Sequence, residues 1–531
     1  MILKRLIRPF ITLLISLIAI SAHADQVHSF PVQHEVSSEA LAQLVNDLRL
    51  QPFTELHHLV VVKNGHVVTE LHATPYRAID SHNQFSVSKM LTALAVGLAV
   101  QDGRLSLDDK VGDITVRHLL TMTSGKRVNA QIRDTSDNWV ASWLALPGTA
   151  PGKTFAYDTM NAFVLSAIVQ RATGSTILEL LNERIFQPMG ITDVEWEQSP
   201  DGINTGGWGV RCSTMTMAML GQLVLQRGQW GGKQLIDAQW IDAMTHDQLE
   251  PMGIKLTHTD DFNHGYGYQL WLNARPGTLR AQGNFGQLVY ISPADSLVIA
   301  VNAATSDQLS ILHVVQRDAP LLSSSSATKK SLPGNLLDLP FPQGQSWSHD
   351  SDTLLVTLAS NNHGIQSLEL RRDGARTWLD ICKDDGTSER IALGYNHWEY
   401  SQLAGTPPYN IGAKNRFSGM EAGFHVAGAY AWQLGKLVVK LHYVDWYSAL
   451  ELAIDLNRGQ VTLTDNTAAN HPEVIPCELL SNDEQATSTM CSTLWIAAWV
   501  ALLAIGLVIA TVLSVRCMIG THRKRYHCEV Q

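Results

Sequence analysis

The sequence predicts an α+β fold: an antiparallel sheet flanked by helices, then a β-rich barrel or sandwich domain, then one C-terminal transmembrane helix. Three observations predict it. Strand-like runs stand at both ends of a long helical stretch between residues 56 and 320. Short β-rich segments recur from about 346 to 478 with turn residues between them. Residues 494–515 are apolar and uncharged; at about 1.5 Å per residue they reach roughly 33 Å, enough for a hydrocarbon core of about 30 Å. The chain has 531 residues, 45% apolar and 17% charged. That composition excludes a disordered or fibrous chain and suits two or three domains of roughly 100–200 residues.

Taken in order, Lys4, Arg5 and Arg8 precede an apolar run from Phe10 to Ile20 and then Ala22-His23-Ala24. This is the pattern of a secretory signal (residues 1–24), with an uncleaved anchor as the alternative. Residues 25–55 lead into the first domain, 56–320. Residues 59–69 are two β-rich runs around Asn64-Gly65, a hairpin signal. Helical spacing follows in Met90, Leu91, Leu94 and Leu98, in Phe163, Leu165, Ile168 and Val169, and in Met215, Met219, Leu220, Leu223 and Val224. Strand patterns return at 286–292 and 297–302, so both ends of the domain are expected to complete one sheet. A Ser- and Pro-rich linker occupies 321–345.

In the second domain, 346–480, strands are expected at 353–358, 367–371, 378–382, 436–443, 450–455 and 460–464. Its aromatic residues (His397, Trp398, Tyr400, Trp432, Tyr443, Trp446 and Tyr447) suit core filling, and also a sugar or lipid ligand of the cell envelope. A juxtamembrane segment, 481–493, precedes the span 494–515. Trp495 and Trp499 sit where an outer interface would be, and Arg516, Arg523, Lys524 and Arg525 place the tail, 516–531, in the cytoplasm. Residues 25–493 are then periplasmic or extracellular, in a cell membrane protein of single-pass topology.

The net charge of −10 makes nucleic acid an unfavourable partner. The part between leader and tail is more acidic still, because the cations of both ends lie outside it. Six cysteines with no C-x-x-C give neither a disulfide scaffold nor a cysteine zinc site. Cys382 and Cys477 both lie in the exported part and are open to pairing. Cys212 reads as core, and Cys517 and Cys528 as reduced cytosolic thiols. His57-His58, His246, His258 and His264 lack ligand spacings such as H-E-x-x-H, so neither a metal nor another cofactor is expected.

Ser86-Val87-Ser88-Lys89 opens the first long helix and puts a hydroxyl and an amine on one face at i and i+3. Serine is a poor nucleophile until a base takes its proton, and a lysine of lowered pKa can do so. Alone, S-x-x-K is a weak signal. It is joined by residues 117–125 (Arg-His-Leu-Leu-Thr-Met-Thr-Ser-Gly), by residues 151–159 with Tyr157-Asp158-Thr159, by Arg227-Gly228-Gln229-Trp230, and by residues 281–287 (Ala-Gln-Gly-Asn-Phe-Gly-Gln). As an ordered set over about residues 56–315, these resemble the serine β-lactamase-like superfamily of class C β-lactamases, DD-peptidases and esterases. The finer likeness is to the 6-aminohexanoate-dimer hydrolase (nylon-oligomer hydrolase) type.

The resemblance implies a penicillin-recognising fold with Ser86 as acylated nucleophile, Lys89 as its base and Tyr157 as proton relay. It implies an oxyanion hole from the backbone N–H groups of Ser86 and Asn284, with Thr159, Gln282 and Gly283 touching substrate. Two departures stand out. Thr159 replaces the amide of the family's Tyr-x-Asn, and Ala281-Gln282-Gly283 lacks the cationic residue of its third motif. Trp208, Tyr266 and Tyr268 are candidates for the pocket wall or for packing. The expected function is a membrane-anchored, exported serine hydrolase of small ester or linear amide substrates. The alternatives are a non-catalytic module that holds an envelope ligand, and an anchored class C-like β-lactamase or DD-peptidase.

Overall fold

The computed structural model describes residues 36–126, 131–257, 261–324, 338–409, 411–466 and 472–479. The expected leader, transmembrane segment and tail lie outside the described residues. Among the described residues no helix is long and apolar enough to cross a membrane.

The first domain begins with α1 (Ser38–Arg49), capped by the Ser37 hydroxyl, which accepts from the N–H groups of Glu39 and Ala40. β1 (Thr54–Lys63) and β2 (His66–His72) follow. Asn64 and Gly65 between them both take positive φ, 52° and 75°, as a two-residue turn must to match the strand twist. Then come β3 (His82–Asn83), α2 (Ser88–Gln101), α3 (Thr159–Thr173), β4 (Val210–Cys212) and α4 (Thr214–Leu225). The domain closes with β5 (Trp271–Leu272), β6 (Leu279–Gly283), β7 (Gln287–Ser292), β8 (Leu297–Thr305) and α5 (Gln308–Ser324).

The main sheet has six strands in the order β5-β6-β7-β8-β1-β2. β1 pairs antiparallel with β8 from Thr54↔Thr305 to Lys63↔Leu297, so the two ends of the domain meet at the sheet centre as expected. Both faces of the sheet are covered. Val60, Val62, Val289 and Val298 pack with Met219, Leu220 and Leu223 of α4, while Leu59, Val61, Tyr290 and Ile299 pack with α1 and α5. That is why β1 and β8 read as continuous apolar runs rather than alternating ones. α2 is buried along almost its whole length, and a helix apolar on all sides belongs inside. Cys212 is buried, on β4 just ahead of the apolar helix.

The second domain contains β9 (Thr353–Leu358), β10 (Ile365–Asp373), β11 (Arg376–Lys383), β12 (Ser388–Tyr395) and β13 (Glu399–Gln402). β14 (His425–Gln433), β15 (Lys436–His442), β16 (Ala449–Asp455), β17 (Gln460–Asp465) and β18 (Glu473–Leu479) complete it. Neighbours in the sheet run β12-β11-β10-β9-β18-β17-β16-β15-β14-β13. A parallel pairing of β12 with β14, Gly394↔Ala429 and Tyr395↔Tyr430, closes it. The domain is therefore a barrel and not a sandwich. Trp347, Tyr430, Trp432, Tyr443 and Trp446 belong to its buried core.

Four strands escaped the sequence: β12, β13, β14 and β18. β14 carries three Ala and one Gly among its nine residues, types that strands disfavour, and β18 contains Pro476, which demotes a strand. Cys477 is a free thiol and does not pair with Cys382, which is disulfide-bonded elsewhere. Between β11 and β18 lie β10 and β9. Strands that far apart stand roughly 14 Å from each other, beyond disulfide reach.

The barrel docks on the first domain through the segment between β13 and β14. Glu197 accepts from the Phe417 N–H at 2.9 Å and the Tyr409 hydroxyl at 3.3 Å. Glu195 accepts from the N–H groups of Glu421 and Ala422 at 2.7 and 2.8 Å. Arg211 donates to the Gly423 carbonyl at 2.6 Å.

Candidate active site

Ser86 does not start a regular helix. It sits in a single 3₁₀ turn, Phe85–Val87, that runs into α2. β3 holds the turn from one side: His82 pairs with Cys212, and the Gln84 N–H donates to the Val210 carbonyl at 2.8 Å. Buried amides hold it from beneath. Gln84 Nε2 donates to the carbonyls of His82 and Cys212, both at 3.1 Å. Asn302 Nδ2 on β8 donates to Gln84 Oε1 at 3.0 Å and to Gln287 Oε1 at 2.9 Å. Ser88 is spent locally, its hydroxyl donating to the Phe85 carbonyl at 2.6 Å. Of the two serines in the motif, Ser86 is thus the one left facing the cleft.

Lys89 lies one turn on and is 1% exposed. Its Nζ is 2.8 Å from Ser86 Oγ, 2.7 Å from the Gly207 carbonyl and 3.2 Å from Thr159 Oγ1. It also stands 4.9 Å from the centre of the Tyr157 ring. Burial brings its pKa down to about 7, against the pull of Asp158 and with a push from Arg133. At neutral pH much of the amine is therefore uncharged. A neutral amine has two N–H groups, which the Gly207 carbonyl and Thr159 hydroxyl can receive, leaving its lone pair for the Ser86 proton.

The Tyr157 phenol is pushed up to about 12 by burial, although its hydrogen bond with Ser86 works the other way. It stays protonated near neutrality. Asp158 caps α3, accepting from the Met160 N–H and the Trp143 indole, both at 3.0 Å; such a cap contributes about 1 kcal/mol. It thereby fixes Tyr157 and Thr159 on either side.

Ser86 and Tyr157 open on a cavity of about 270 Å³, with Asn284, Gln282 and Gln308 on its polar side and Phe262 and Trp271 on its aromatic side. Gly283 is where β6 presses on the serine turn: a Cβ there would lie 2.5 Å from the Gln84 carbonyl oxygen. Gln282 is held by Arg280, whose Nε donates to its Oε1 at 2.7 Å, and donates in turn to the Gln308 carbonyl at 3.2 Å. Arg280 is itself fully buried, tied to Asn273 and to the carbonyls of Leu272 and Asp261. Ala281 packs into the helical core. Among the described residues, the wall of the cavity carries no charged side chain.

Ser86, Lys89, Tyr157, Gln282 and Asn284 thus converge. Thr159, expected at the substrate, is engaged by Lys89, and Gly283 acts through close approach. Trp208, Tyr266 and Tyr268 are buried packing residues, and the aromatic wall is Trp271 and Phe262. Trp271 stacks on Tyr157 with ring centres 5.4 Å apart, and Phe262 meets it edge-on at 4.7 Å. The sequence reading missed these two and Gln308. The available signal was the short apolar run ahead of the Arg275-Pro276-Gly277 turn, which hairpins β5 onto β6. Among the described residues no cluster suited to a metal ion occurs.

A Beta-lactamase family model matches residues 57–311. The 6-aminohexanoate-dimer hydrolase of Paenarthrobacter ureafaciens is 23% identical over 311 residues, covering 51% of this chain and 79% of that protein. A β-lactamase of Escherichia coli (strain K12) is 23% identical over 218 residues, covering 35% of this chain and 56% of that protein. Among solved structures, the octameric penicillin-binding protein homologue from Pyrococcus abyssi is similar at 17% identity and a TM-score of 0.43, over 82% of this chain and 99% of its own. With a serine, a dehydrated lysine and a tyrosine at one cleft, residues 57–311 are a β-lactamase family domain of the serine β-lactamase-like superfamily, with a serine hydrolase-like site.

Proposed function

We propose that the protein hydrolyses small neutral esters or linear amides through an acyl-enzyme on Ser86. The observation that carries this is the buried Lys89 amine, 2.8 Å from the Ser86 hydroxyl and lowered to about 7. Neutral Lys89 takes the Ser86 proton as Oγ bonds to the substrate carbonyl carbon. The negative charge that develops on the carbonyl oxygen is received by the N–H groups of Ser86 and Asn284. As the intermediate collapses, Tyr157 gives its proton to the departing alcohol or amine and regains one from Lys89. Water then attacks the acyl carbon, its proton passing to the same pair, and the acid leaves with Ser86 restored. No metal or organic cofactor enters this scheme.

The substrate class rests on the cavity wall. Gln282, Gln308 and Asn284 offer neutral amides, and Trp271 and Phe262 offer flat apolar surface. We further propose that the body is exported and held at the membrane by residues 494–515, on the strength of their uncharged run and the basic residues after it.

The test is covalent labelling by a fluorophosphonate probe. Labelling lost in Ser86→Ala, with the melting temperature kept, is the expected result. Equal labelling of parent and variant, or none of either, would overturn the reading and leave a binding module.

A further inference from the structure

The serine turn and the turn at Asn284 share an unusual feature. Phe85, just before Ser86, has φ 46°, and Phe285, just after Asn284, has φ 60°. Bulky residues seldom hold the left-handed region unless their surroundings enforce it. These two flank the residues whose N–H groups must point at one oxygen.

What touches both comes from the other domain. Tyr447, in the short connection between β15 and β16, is 1% exposed. Its ring lies flat on Phe285, with centres 4.8 Å apart and planes 9° apart. It meets Phe85 edge-on, also at 4.8 Å, and the two phenylalanines are 5.3 Å apart. The connection is itself braced. The Tyr443 N–H donates to the Ser448 carbonyl at 3.1 Å, and the Trp446 N–H to the Tyr443 carbonyl at 2.9 Å. Trp446 is fully buried in the barrel core beside it.

We propose that the barrel is part of the catalytic apparatus, with Tyr447 as a positioning residue that wedges the backbones of Phe85 and Phe285 so that Ser86 and Asn284 face one point. This rests on the acyl-transfer reading above. A ring fixed by a separate closed barrel holds both turns against one rigid reference. Neither turn could supply that to the other, since each is strained in the same sense. The wedge acts on transition-state geometry and leaves the substrate cavity unaltered, since the residues lining it are others than Tyr447, Phe85 and Phe285.

The experiment uses the full chain with Tyr447→Ala, Tyr447→Leu and Tyr447→Phe, read on a short p-nitrophenyl ester beside thermal melting. Tyr447→Ala is expected to lower kcat by about 10- to 100-fold, the scale of a small misplacement of reacting groups, with KM within about twofold. Tyr447→Phe keeps the ring and is expected to restore kcat. If Tyr447→Ala fails to fold, Tyr447→Leu fills the volume without a flat face and should lose kcat in the same way. A folded Ala or Leu variant with parental kcat would overturn the wedge while the parent's Ser86-dependent turnover stands. A parent without that turnover would overturn the hydrolase reading, and the wedge with it.

Discussion

At the scale of single residues, the proposed chemistry turns on dehydration of one amine. Lys89 is uncharged at a useful pH because it is buried, and Gly207 and Thr159 receive its N–H groups. Two outcomes follow. Since the base must be deprotonated, kcat/KM for an ester should climb with pH up to about 7 and then stay level. Tyr157, held protonated up to about 12, brings no fall through the mildly alkaline range. A pH–rate profile that rises only toward the ordinary lysine value would contradict this. Lys89→Ala should lose on the order of 10²–10⁴ in rate, the range of general-base help; parental turnover in that variant would remove Lys89 from the role. A third outcome is steric. Gly283→Ala drives a methyl to 2.5 Å from the Gln84 carbonyl oxygen, backbone that cannot step aside. It should cost about 1–3 kcal/mol, the usual scale of overpacking, seen as a lower urea midpoint along with lost activity.

Among the elements, β1 shows what pattern reading reaches and where it stops. Its hairpin turn was legible because Asn-Gly has few other uses between β-rich runs. Its bulge between Leu56 and His58 was not. The irregularity buries both His57 and His58. They meet His82 of β3, with His57 Nδ1 and His82 Nε2 at 3.0 Å, and His72 of β2, with His58 Nδ1 and His72 Nδ1 at 2.7 Å. His442 of the barrel joins through the Tyr76 hydroxyl at 3.4 Å. Burial lowers the pKa of His57, His58, His82 and His442, that of His442 to about 4. Glu55 opposes this at His57 and His442, whereas His72 adds to it at His58 and Lys440 at His442.

The sign of the pH effect follows from which state binds protons. Above the unfolded value of 6.5 neither state is protonated and stability is whole. Below it the unfolded chain takes up protons that the folded one refuses. Stability is then lost by about 1.4 kcal/mol per pH unit for each such histidine, until the folded value is passed. Melting temperature should therefore fall steeply from pH 6.5 toward 4, and less steeply in His442→Gln. A flat profile over that range would refute the assignment.

For the whole molecule, substrate preference and topology are the open outcomes. With Ala281 turned into the core and no charged side chain among the described residues of the cavity wall, an anionic antibiotic loses a charge-assisted contact worth roughly 1.5–3 kcal/mol. A short p-nitrophenyl ester should exceed a chromogenic cephalosporin in kcat/KM by about tenfold or more. Faster cephalosporin turnover would make this a β-lactamase instead. Protease added to intact spheroplasts should release an active body cut between the barrel and residue 494; full protection of the chain would overturn the proposed topology.

The sequence by itself determined the order of the main elements and which groups to look for at the cleft. Local periodicity, a two-residue turn and ordered short motifs are properties of neighbours along the chain. It named Ser86, Lys89 and Tyr157, and it saw six barrel strands whose side chains favour a pleated sheet. Only the tertiary structure decided the rest. Thr159 serves Lys89 because α2 and α3 pack side by side. Trp271 walls the cavity because β5 folds back along β6, and Phe262 does so by packing edge-on against Trp271. The barrel closes through a parallel pairing of strands that are not neighbours in sequence, and one of its tyrosines stands behind the serine turn. Apart from the β5–β6 hairpin, each of these is a contact between segments well separated in the chain, where what a residue does depends on which distant surface covers it and how much water that surface removes.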